Sequence, residues 1–204
     1  MKLSIIGPPG SGKGTMSSLI AKKYKLKEIE VGDLLRELAT KNTKTGKLVK
    51  RMINKGKLVP SNIVTSLVKK QLSKYFIIDG YPREIEEAKA LDEIAKLNKV
   101  ILLEVSRKTI IKRLSKRLIC PKCDSIYHLI TKKPKKDTLC DKCKIKLVRR
   151  EDDKPEAIKE RLNLFKKETF TVIKYYNKKS ILNRISAEGS IKNIFRRIER
   201  CLSK

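Results

Sequence analysis

A glycine-rich segment near the amino terminus is the clearest sign of chemistry in the sequence. Residues 7–15 read Gly-Pro-Pro-Gly-Ser-Gly-Lys-Gly-Thr, close to the phosphate-binding pattern G-x-x-x-x-G-K-[ST], with Gly14 after Lys13 and the hydroxyl at Thr15. Glycines let the backbone curl so that successive N–H groups point at one anion, and the lysine reaches the β- and γ-phosphates as a point charge. The segment therefore predicts a nucleoside triphosphate site.

Four cysteines form a second group with recognisable spacing. Cys120 and Cys123 make one C-x-x-C pair, Cys140 and Cys143 make another, and sixteen residues separate the pairs. This spacing is typical of zinc sites, and four thiolates leave no open coordination position, so the metal would be structural. The segment 120–148 is polar, lysine-rich and too small to hold a core of its own. We therefore expect a structural Zn²⁺ to hold it together.

Alternating strands and helices must position these groups. Short apolar runs predict strands at Met1–Ile6, Tyr75–Ile78, Val100–Val105 and Ile181–Ile185. Helical patterns cover Lys13–Tyr24, Ile63–Leu72, Glu84–Ala95, Thr109–Leu118 and Pro155–Tyr176. Between them, Glu30–Val59 predicts two short helices and no strand. The fold class expected is α/β, a P-loop parallel sheet flanked by helices, because continuous apolar strands are typical of sheets covered on both faces.

Two acids have more than one interpretation. Asp79 follows a predicted strand, and an acid at the carboxyl end of a central strand can orient the hydration shell of Mg²⁺ beside a phosphate-binding loop. The alternative for Asp79 is a helix or turn cap, and we favour the magnesium site. Asp33 fits the N-cap of a helix at Leu34–Ala39.

The chain is strongly basic, with a net charge of +29 from 51 Lys and Arg against 22 Asp and Glu. Such a charge attracts polyanions, including nucleotides and nucleic acid. Because lysines are spread over the whole chain, a general compositional bias explains the charge better than a dedicated RNA site. The early apolar run Leu3–Ile6 is too short for a signal peptide or a membrane span. We therefore expect a cytoplasmic protein with no membrane partner.

Several short motifs together give the chain a resemblance to the adenylate kinase family, in its long form with a zinc-bearing lid. Besides residues 7–15 and the four cysteines, the motifs are Gly32-Asp33-Leu34-Leu35-Arg36, Lys57-Leu58-Val59-Pro60, Asp79-Gly80-Tyr81-Pro82-Arg83, Tyr127-His128 and Arg150-Glu151-Asp152-Asp153. They follow the order of the family and cover nearly the whole chain. The resemblance implies a monomer that transfers phosphate from Mg²⁺-bound ATP to AMP, giving two ADP.

The resemblance also implies three structural parts. A P-loop core would comprise residues 1–29, 60–116 and 152–204. A helical monophosphate-binding insert would comprise residues 30–59, where Asp33 would help to order the acceptor site. A zinc-binding lid would comprise residues 117–151, with Asp152 and Asp153 at its hinge and His128 either near the ATP base or on the surface.

Residue roles follow from the same resemblance. ATP would be bound by Gly10, Ser11, Gly12, Lys13, Gly14, Thr15, Arg113 and Arg117. AMP would be bound by Val31, Arg36, Lys57, Val59, Gly80, Arg83 and Glu87. Catalysis would rest on Lys13, Arg83, Arg117, Arg150 and Arg161. Forked guanidinium groups suit this reaction, because phosphoryl transfer needs positioning and charge neutralisation more than covalent chemistry.

Base recognition stays open because three positions depart from the family pattern. Glu30-Val31 replaces common hydroxyl residues, Glu87 replaces an adenine-reading glutamine, and Ala187-Glu188-Gly189 replaces a glycine-led loop beside the ATP base. An ionised carboxylate only accepts hydrogen bonds, so Glu87 suits the N1–H and N2–H₂ of guanine unless it turns to solvent. We expect AMP as acceptor, with GMP as the alternative. A P-loop RNA-binding protein is less favoured, since aromatic residues for base stacking make up only 5%.

Overall fold

A parallel sheet of five strands lies at the centre of the protein, which confirms the predicted fold class. The structure is a computed structural model that describes residues 1–123, 125–130 and 132–203. The described strands are β1 (Lys2–Ile6), β2 (Lys27–Glu30), β3 (Phe76–Asp79), β4 (Lys99–Glu104), β5 (Arg117–Ile119), β6 (Ile126–His128) and β7 (Leu182–Ser186). The central sheet has the order β2-β3-β1-β4-β7. Asp124 and Thr131 of the predicted lid and Lys204 of the predicted core lie outside the described residues.

Helices cover both faces of this sheet. They are α1 (Lys13–Tyr24), α2 (Val31–Thr40), α3 (Lys44–Asn54), α4 (Ser61–Gln71), α5 (Ile85–Ile94), α6 (Arg107–Leu114), α7 (Pro155–Leu164), α8 (Phe170–Lys178) and α9 (Ile191–Leu202). Ile77 and Ile101 pack on one face with α1 and α9, whereas their neighbours Phe76 and Val100 pack on the other with α4, α5 and α8. This alternation explains why the central strands are apolar at nearly every position.

Strand β2 was missing from the sequence prediction. Its residues are Lys27-Glu28-Ile29-Glu30, of which only Ile29 is buried. The expectation of no strand within 30–59 was therefore wrong at its first residue, Glu30. A strand at the edge of the sheet is flanked on one side only, so it does not need the continuous apolar sequence that identifies a central strand.

The helix predicted for Thr109–Leu118 was wrong at its carboxyl end. Helix α6 ends at Leu114, and Arg117 and Leu118 belong to β5, which pairs antiparallel with β6. The N-cap prediction for Asp33 was also wrong, because α2 begins at Val31 and places Asp33 in its first turn. At Arg117 and Leu118 the pairing with β6 overrides the local helical signal.

The long helix predicted for Pro155–Tyr176 is present with an irregular centre. Pro155 occupies the first turn of α7, as predicted, and a π-helical turn over Phe165–Thr169 joins α7 to α8. Among the described residues no helix has the length and apolar character needed to cross a membrane.

Candidate active site

The carboxyl ends of the parallel strands converge on one large cavity of about 580 Å³, which we call the main cavity. The loop after β1, the end of β3 and the loop after β7 all line it. In open α/β sheets this edge is where ligands bind. Residues predicted from the sequence to bind ATP all line this cavity: Gly10, Ser11, Gly12, Lys13, Gly14, Thr15, Arg113 and Arg117.

The phosphate-binding loop between β1 and α1 depends on its glycines. Gly10 has a φ of 75°, and a Cβ there would lie 2.9 Å from Cγ of Leu114, so both the backbone and the space require glycine. Lys13 Nζ donates hydrogen bonds to the carbonyls of Gly7 and Pro8, each at 3.0 Å. Burial lowers the pKa of Lys13 to about 8, while Asp79 opposes this shift. The lysine is thus a partly buried cation held at the mouth of the loop.

Arg113 fastens this loop to the opposite wall of the cavity. Its guanidinium group donates to the carbonyl of Ser11 at 3.1 Å and to that of Ala187 at 2.8 Å. The next residue, Glu188, accepts hydrogen bonds from Ser106 N at 2.7 Å and Thr109 Oγ1 at 2.9 Å. Arg113 therefore holds the loop after β7, whose sequence departs from the family pattern, beside the phosphate-binding loop.

Two arginines are fixed by the acids before α7. Arg117 donates to both carboxylate oxygens of Asp153, at 2.7 and 2.5 Å. Arg161 Nη1 lies 2.9 Å from Oδ2 of Asp152 and donates to its carbonyl at 3.0 Å. Burial lowers the pKa of Arg161 to about 10, with Asp152 acting in the opposite direction. These bidentate and buried contacts restrict the orientation of both guanidinium groups.

Two other arginines among the described residues that line the main cavity have buried N–H groups without a hydrogen-bond partner. Nε of Arg36 and both Nε and Nη2 of Arg150 are buried and have no hydrogen-bond partner among the described residues. Burial, together with the neighbouring Arg36 and Arg117, lowers the pKa of Arg150. Buried donors without partners are costly, so these nitrogens mark a place where an anion is expected.

Two acids line the same cavity. Asp79 is the last residue of β3 and has 6% of its surface exposed. Burial raises its pKa to about 6, although Lys13 and Arg83 oppose the shift. Burial also raises the pKa of Glu30 to about 8, and Asp79 and Asp33 add to this effect. Asp33 itself forms an ion pair with Arg36.

A much smaller pocket of about 10 Å³, which we call the acceptor pocket, lies beside the main cavity. It is lined by Val31, Leu35, Leu58, Val59, Val64, Gly80, Tyr81, Arg83 and Glu87. Five of the residues predicted to bind AMP are therefore together here, and Arg83 also lines the main cavity. Arg36 lies in the main cavity, whereas Lys57 is exposed and lines none of the cavities described.

Glu87 faces inward, so the interpretation that it turns to solvent was wrong. It is 3% exposed, and its Oε2 accepts a hydrogen bond of 2.7 Å from the backbone N–H of Arg83. Burial raises the pKa of Glu87 to about 7, while the Arg83 N–H acts in the opposite direction. Gly80, with a φ of 72°, lets the chain turn here, and Arg83 Nε donates to its carbonyl at 2.7 Å.

The four cysteines come together in the predicted lid segment, next to β5 and β6. Their Sγ atoms all lie within 4.8 Å of one another, and those of Cys123 and Cys140 are 3.7 Å apart. Tetrahedral zinc with Zn–S bonds of about 2.3 Å would place its sulfurs at about 3.8 Å, so the donor set fits the metal. Tyr127 Oη lies 3.5 Å from Sγ of Cys140 and accepts from the N–H of Asp141 at 2.9 Å. Tyr127 thus connects the cysteine cluster with the main cavity, which it also lines.

Sequence reasoning missed several residues that line the main cavity. Glu30 was noted only as a departure from a motif, and the wall formed by Ser190, Ile191 and Lys192 was not singled out. The signal for Glu30 was its place at the end of an unrecognised strand. His128, left between two interpretations, lines the cavity beside Tyr127.

Charge completes the chemical character of the site. Among the described residues, nine basic side chains line the main cavity against two acidic ones: Lys13, Arg36, Arg83, Arg113, Arg117, Lys132, Arg150, Arg161 and Lys192 against Glu30 and Asp79. Such a cavity suits polyphosphates, whose charge it would neutralise away from bulk water. Fold and site together define the class of P-loop phosphotransferases.

Comparison with known proteins makes the assignment more specific. A family model described as adenylate kinase matches residues 5–181. An adenylate kinase of Archaeoglobus fulgidus is 42% identical over 214 aligned residues, covering 100% of this chain and 99% of that protein. Those of Petrotoga mobilis and Thermotoga maritima are 40% and 41% identical, covering 95% and 94% of this chain and 94% and 92% of theirs. The chain belongs to the adenylate kinase family.

Proposed function

We propose that this protein catalyses reversible transfer of the terminal phosphoryl group of Mg²⁺-bound ATP to AMP, giving two ADP. The observation that carries the proposal is the continuity of the site. The phosphate-binding loop, the partly buried arginines and the acceptor pocket adjoin one another, and Arg83 lines both cavities. A donor and an acceptor nucleotide could therefore meet with their phosphates between them.

The donor phosphates are bound by the loop Gly10–Thr15 and by Lys13. Backbone N–H groups of this loop and the positive end of α1 stabilise the anion, and Lys13 exchanges the carbonyls of Gly7 and Pro8 for phosphate oxygens. Arg113 supports this arrangement by fixing the loop through its contacts with Ser11 and Ala187. The donor base lies against the wall that contains Gly189 and Ile191.

The acceptor phosphate is held by Arg36 and Arg83. The acceptor base enters the acceptor pocket, which must widen beyond its present volume of about 10 Å³ to receive it. Val31 and Val59 provide apolar walls there, Glu87 provides the polar edge, and Gly80 gives the backbone room to turn. The side chain of Lys57 is exposed, so Lys57 would contribute to AMP binding through the backbone of the segment that leads to Val59.

Charge neutralisation at the transferring group falls to Lys13, Arg83, Arg117, Arg150 and Arg161. The unpaired nitrogens of Arg150 gain partners only when an anion arrives, while Arg117 and Arg161 are already oriented by Asp153 and Asp152. Donors fixed in advance stabilise developing charge without reorganisation at the moment of reaction.

Two metals accompany this function. Mg²⁺ would be held by the nucleotide phosphates and by the shell that Asp79 orients, and it supplies neutralisation of the charge on the β- and γ-phosphates. Zn²⁺ would be held by Cys120, Cys123, Cys140 and Cys143, where it organises the lid and takes no part in the reaction.

The proposed function assigns the chain to three parts. Residues 1–29, 60–116 and 152–204 form the P-loop core, residues 30–59 form the monophosphate-binding insert, and residues 117–151 form the lid. The insert contains α2 and α3, and the lid contains the β5–β6 hairpin and the cysteine cluster. Closure of the insert and lid over both nucleotides would exclude water from the phosphoryl group.

GMP is the second candidate acceptor, and the observation that favours it is the buried carboxylate of Glu87 in the acceptor pocket. Guanine offers N1–H and N2–H₂, two donors that a carboxylate accepts. The experiment measures ADP formation from ATP with AMP, GMP, CMP or UMP, with and without added RNA. Rapid ADP formation with AMP supports the proposal, and its absence with every monophosphate contradicts it.

A bis-substrate ligand provides an independent test. Two adenosines joined by an oligophosphate should bind much more tightly than ATP or AMP alone, because one molecule would fill both subsites and spare the entropy of binding twice. Isothermal titration calorimetry measures the three dissociation constants. Similar affinities for all three ligands would contradict a site for two nucleotides.

A further inference from the structure

Glu30 lies directly beside Asp79 across the sheet. The two residues are register partners at the carboxyl ends of the parallel strands β2 and β3. Adjacent strands are about 4.8 Å apart, and partners in register direct their side chains to the same face. Both side chains line the main cavity beside the phosphate-binding loop. Glu30 therefore lies next to Asp79, the acid proposed to orient Mg²⁺, and carries the same kind of side-chain group.

The carboxylates of both residues also approach the first turn of α1. A Cβ placed on Gly14 would lie 3.2 Å from Oδ2 of Asp79 and 3.8 Å from Oε2 of Glu30. Gly14 follows Lys13 in the loop where the donor phosphates are expected. One oxygen of each acid thus lies near Gly14, where the donor phosphates are expected.

Protein cations do not saturate these two oxygens. The Asp79 carboxylate has no hydrogen bond or ion pair with any residue of the described part of the chain, and it is 94% buried, since only 6% of its surface is exposed. Lys13 and Arg83 are its nearest cations, but they donate to the carbonyls of Gly7, Pro8 and Gly80.

Glu30 is paired with Arg36 through its other oxygen. Oε1 lies 3.3 Å from Nη2 of Arg36, which makes a closer ion pair with Asp33. Oε2 remains on the side of Gly14 and Asp79. Two neighbouring carboxylates in a poorly solvated site repel each other, and a divalent cation relieves this repulsion.

We infer that Glu30 is a second carboxylate, beside Asp79, of the site that receives Mg²⁺ with the donor nucleotide. The inference rests on the proposed function, which brings that nucleotide to the phosphate-binding loop. Mg²⁺ in nucleotide sites is commonly held by one or two carboxylates in addition to phosphates and waters, so a second acid is chemically compatible with the ion. Glu30 thereby strengthens the dependence of nucleotide binding on Mg²⁺.

The test compares nucleotide binding with and without the metal. Titration calorimetry gives the dissociation constant of a non-hydrolysable ATP analogue, once in excess EDTA and once in saturating Mg²⁺, and the ratio of the two constants measures the gain from Mg²⁺. Glu30→Gln keeps the size of the side chain and removes the carboxylate that would face the metal. The gain from Mg²⁺ should fall about tenfold, within the usual range for coupling between two ligands.

Glu28→Gln is the matched control. It removes a charge from the same strand, where the carboxylate accepts a hydrogen bond of 2.9 Å from Ser18 and does not line the main cavity. Its Mg²⁺ gain should equal that of the unmodified protein. Glu30→Asp keeps the charge on a shorter side chain and should lie between the two, and it provides the test if Glu30→Gln is unstable.

One outcome would overturn the role of Glu30 at the Mg²⁺ site. An unchanged Mg²⁺ gain in Glu30→Gln, accompanied by a higher KM for AMP, would show that Glu30 acts only through Arg36 and would overturn the inference. Failure of the proposed function can be distinguished from failure of this inference by a separate measurement. In that case the unmodified protein forms no ADP from ATP and AMP, whereas the Mg²⁺ gain can still be measured and compared among the variants.

Discussion

The guanidinium group of Arg117 and the carboxylate of Asp153 form a two-point contact with N–O distances of 2.7 and 2.5 Å. Arg117 begins β5, at the start of the proposed lid, and Asp153 lies in the short turn before α7. Both side chains are largely buried. This contact therefore ties the orientation of a proposed catalytic arginine to the hinge on which the lid would move.

Asp153→Asn should lower kcat by roughly 10²-fold. An amide cannot accept both hydrogen bonds, so the guanidinium group of Arg117 would shift from the position that the reaction requires. Steady-state kinetics and thermal unfolding measure the effect. The control is Asp137→Asn, which removes an exposed acid from the lid. A normal kcat in folded Asp153→Asn would mean that the contact does not position Arg117 for catalysis.

Lys13→Ala should reduce kcat by about 10²- to 10³-fold and leave the fold intact, since a fixed cation at the phosphates stabilises charge that develops in the transition state. Lys22→Ala, an exposed position on the same helix, should behave like the unmodified protein. Kinetics and circular dichroism give the two readouts. Near-normal turnover in folded Lys13→Ala would contradict the assignment of the phosphate-binding loop.

Cys140→Ser should lower both the zinc content and the midpoint of thermal unfolding, with a smaller direct effect on turnover. The lid core consists of little more than Cys120, Tyr127, Cys140 and Leu147, so the metal must supply much of its stability. Elemental analysis and calorimetry measure these effects. Cys201→Ser, on α9, controls for the loss of a thiol. Purified protein without zinc, and with no gain in stability on adding it, would exclude a structural zinc site.

Glu87→Gln should increase the preference for AMP over GMP. The oxygen of the introduced amide can keep the hydrogen bond from the Arg83 N–H, and its NH₂ group then donates to N1 of adenine, where guanine carries a hydrogen of its own. Discrimination by such a buried polar group can reach ~10⁴. The measurement is kcat/KM for both acceptors, with exposed Glu86→Gln as control. If the unmodified protein prefers GMP and the substitution reverses the order, the acceptor assignment is wrong.

The KM for AMP should rise as pH increases through about 7 in the unmodified protein. Burial raises the pKa of Glu87 to about 7, so the carboxyl is protonated below that pH and can donate to an adenine ring nitrogen, whereas above it the ionised group can only accept. In Glu87→Gln this dependence should disappear. Because the phosphate of AMP titrates equally in both proteins, the difference between their profiles isolates Glu87. Superimposable profiles would show that this carboxyl does not contact the base.

How much the sequence could predict differs between the two kinds of site residue. Lys13 and the four cysteines belong to contiguous patterns whose local geometry follows from residue type, and they occupy the predicted surroundings. Glu30 could not be placed in this way. Its proximity to Asp79 depends on the register of an edge strand with little apolar character. Arg117 was assigned to a helix, because its pairing with His128 is a tertiary contact.

The inward position of Glu87 has the same kind of cause. On sequence alone, three acids at 84, 86 and 87 suggest a solvated first turn. In the structure the Arg83 N–H and the apolar pocket draw one of the three inside. Only the packing of the pocket against α5 distinguishes it from exposed Glu86.

The π-helical turn at Phe165–Thr169 joins α7 and α8 into one continuous helix whose two halves direct their side chains to different places. Each residue of an α-helix advances the side chains by about 100°, so one additional residue in a turn shifts the phase of everything beyond it. Before the turn Arg161 points into the main cavity, and after it Tyr176 points into the core beneath the sheet. Removing one residue there would preserve a helix in outline but set these two faces out of phase. The π-helical turn thus sets the orientation of Arg161 in the main cavity relative to Tyr176 in the core.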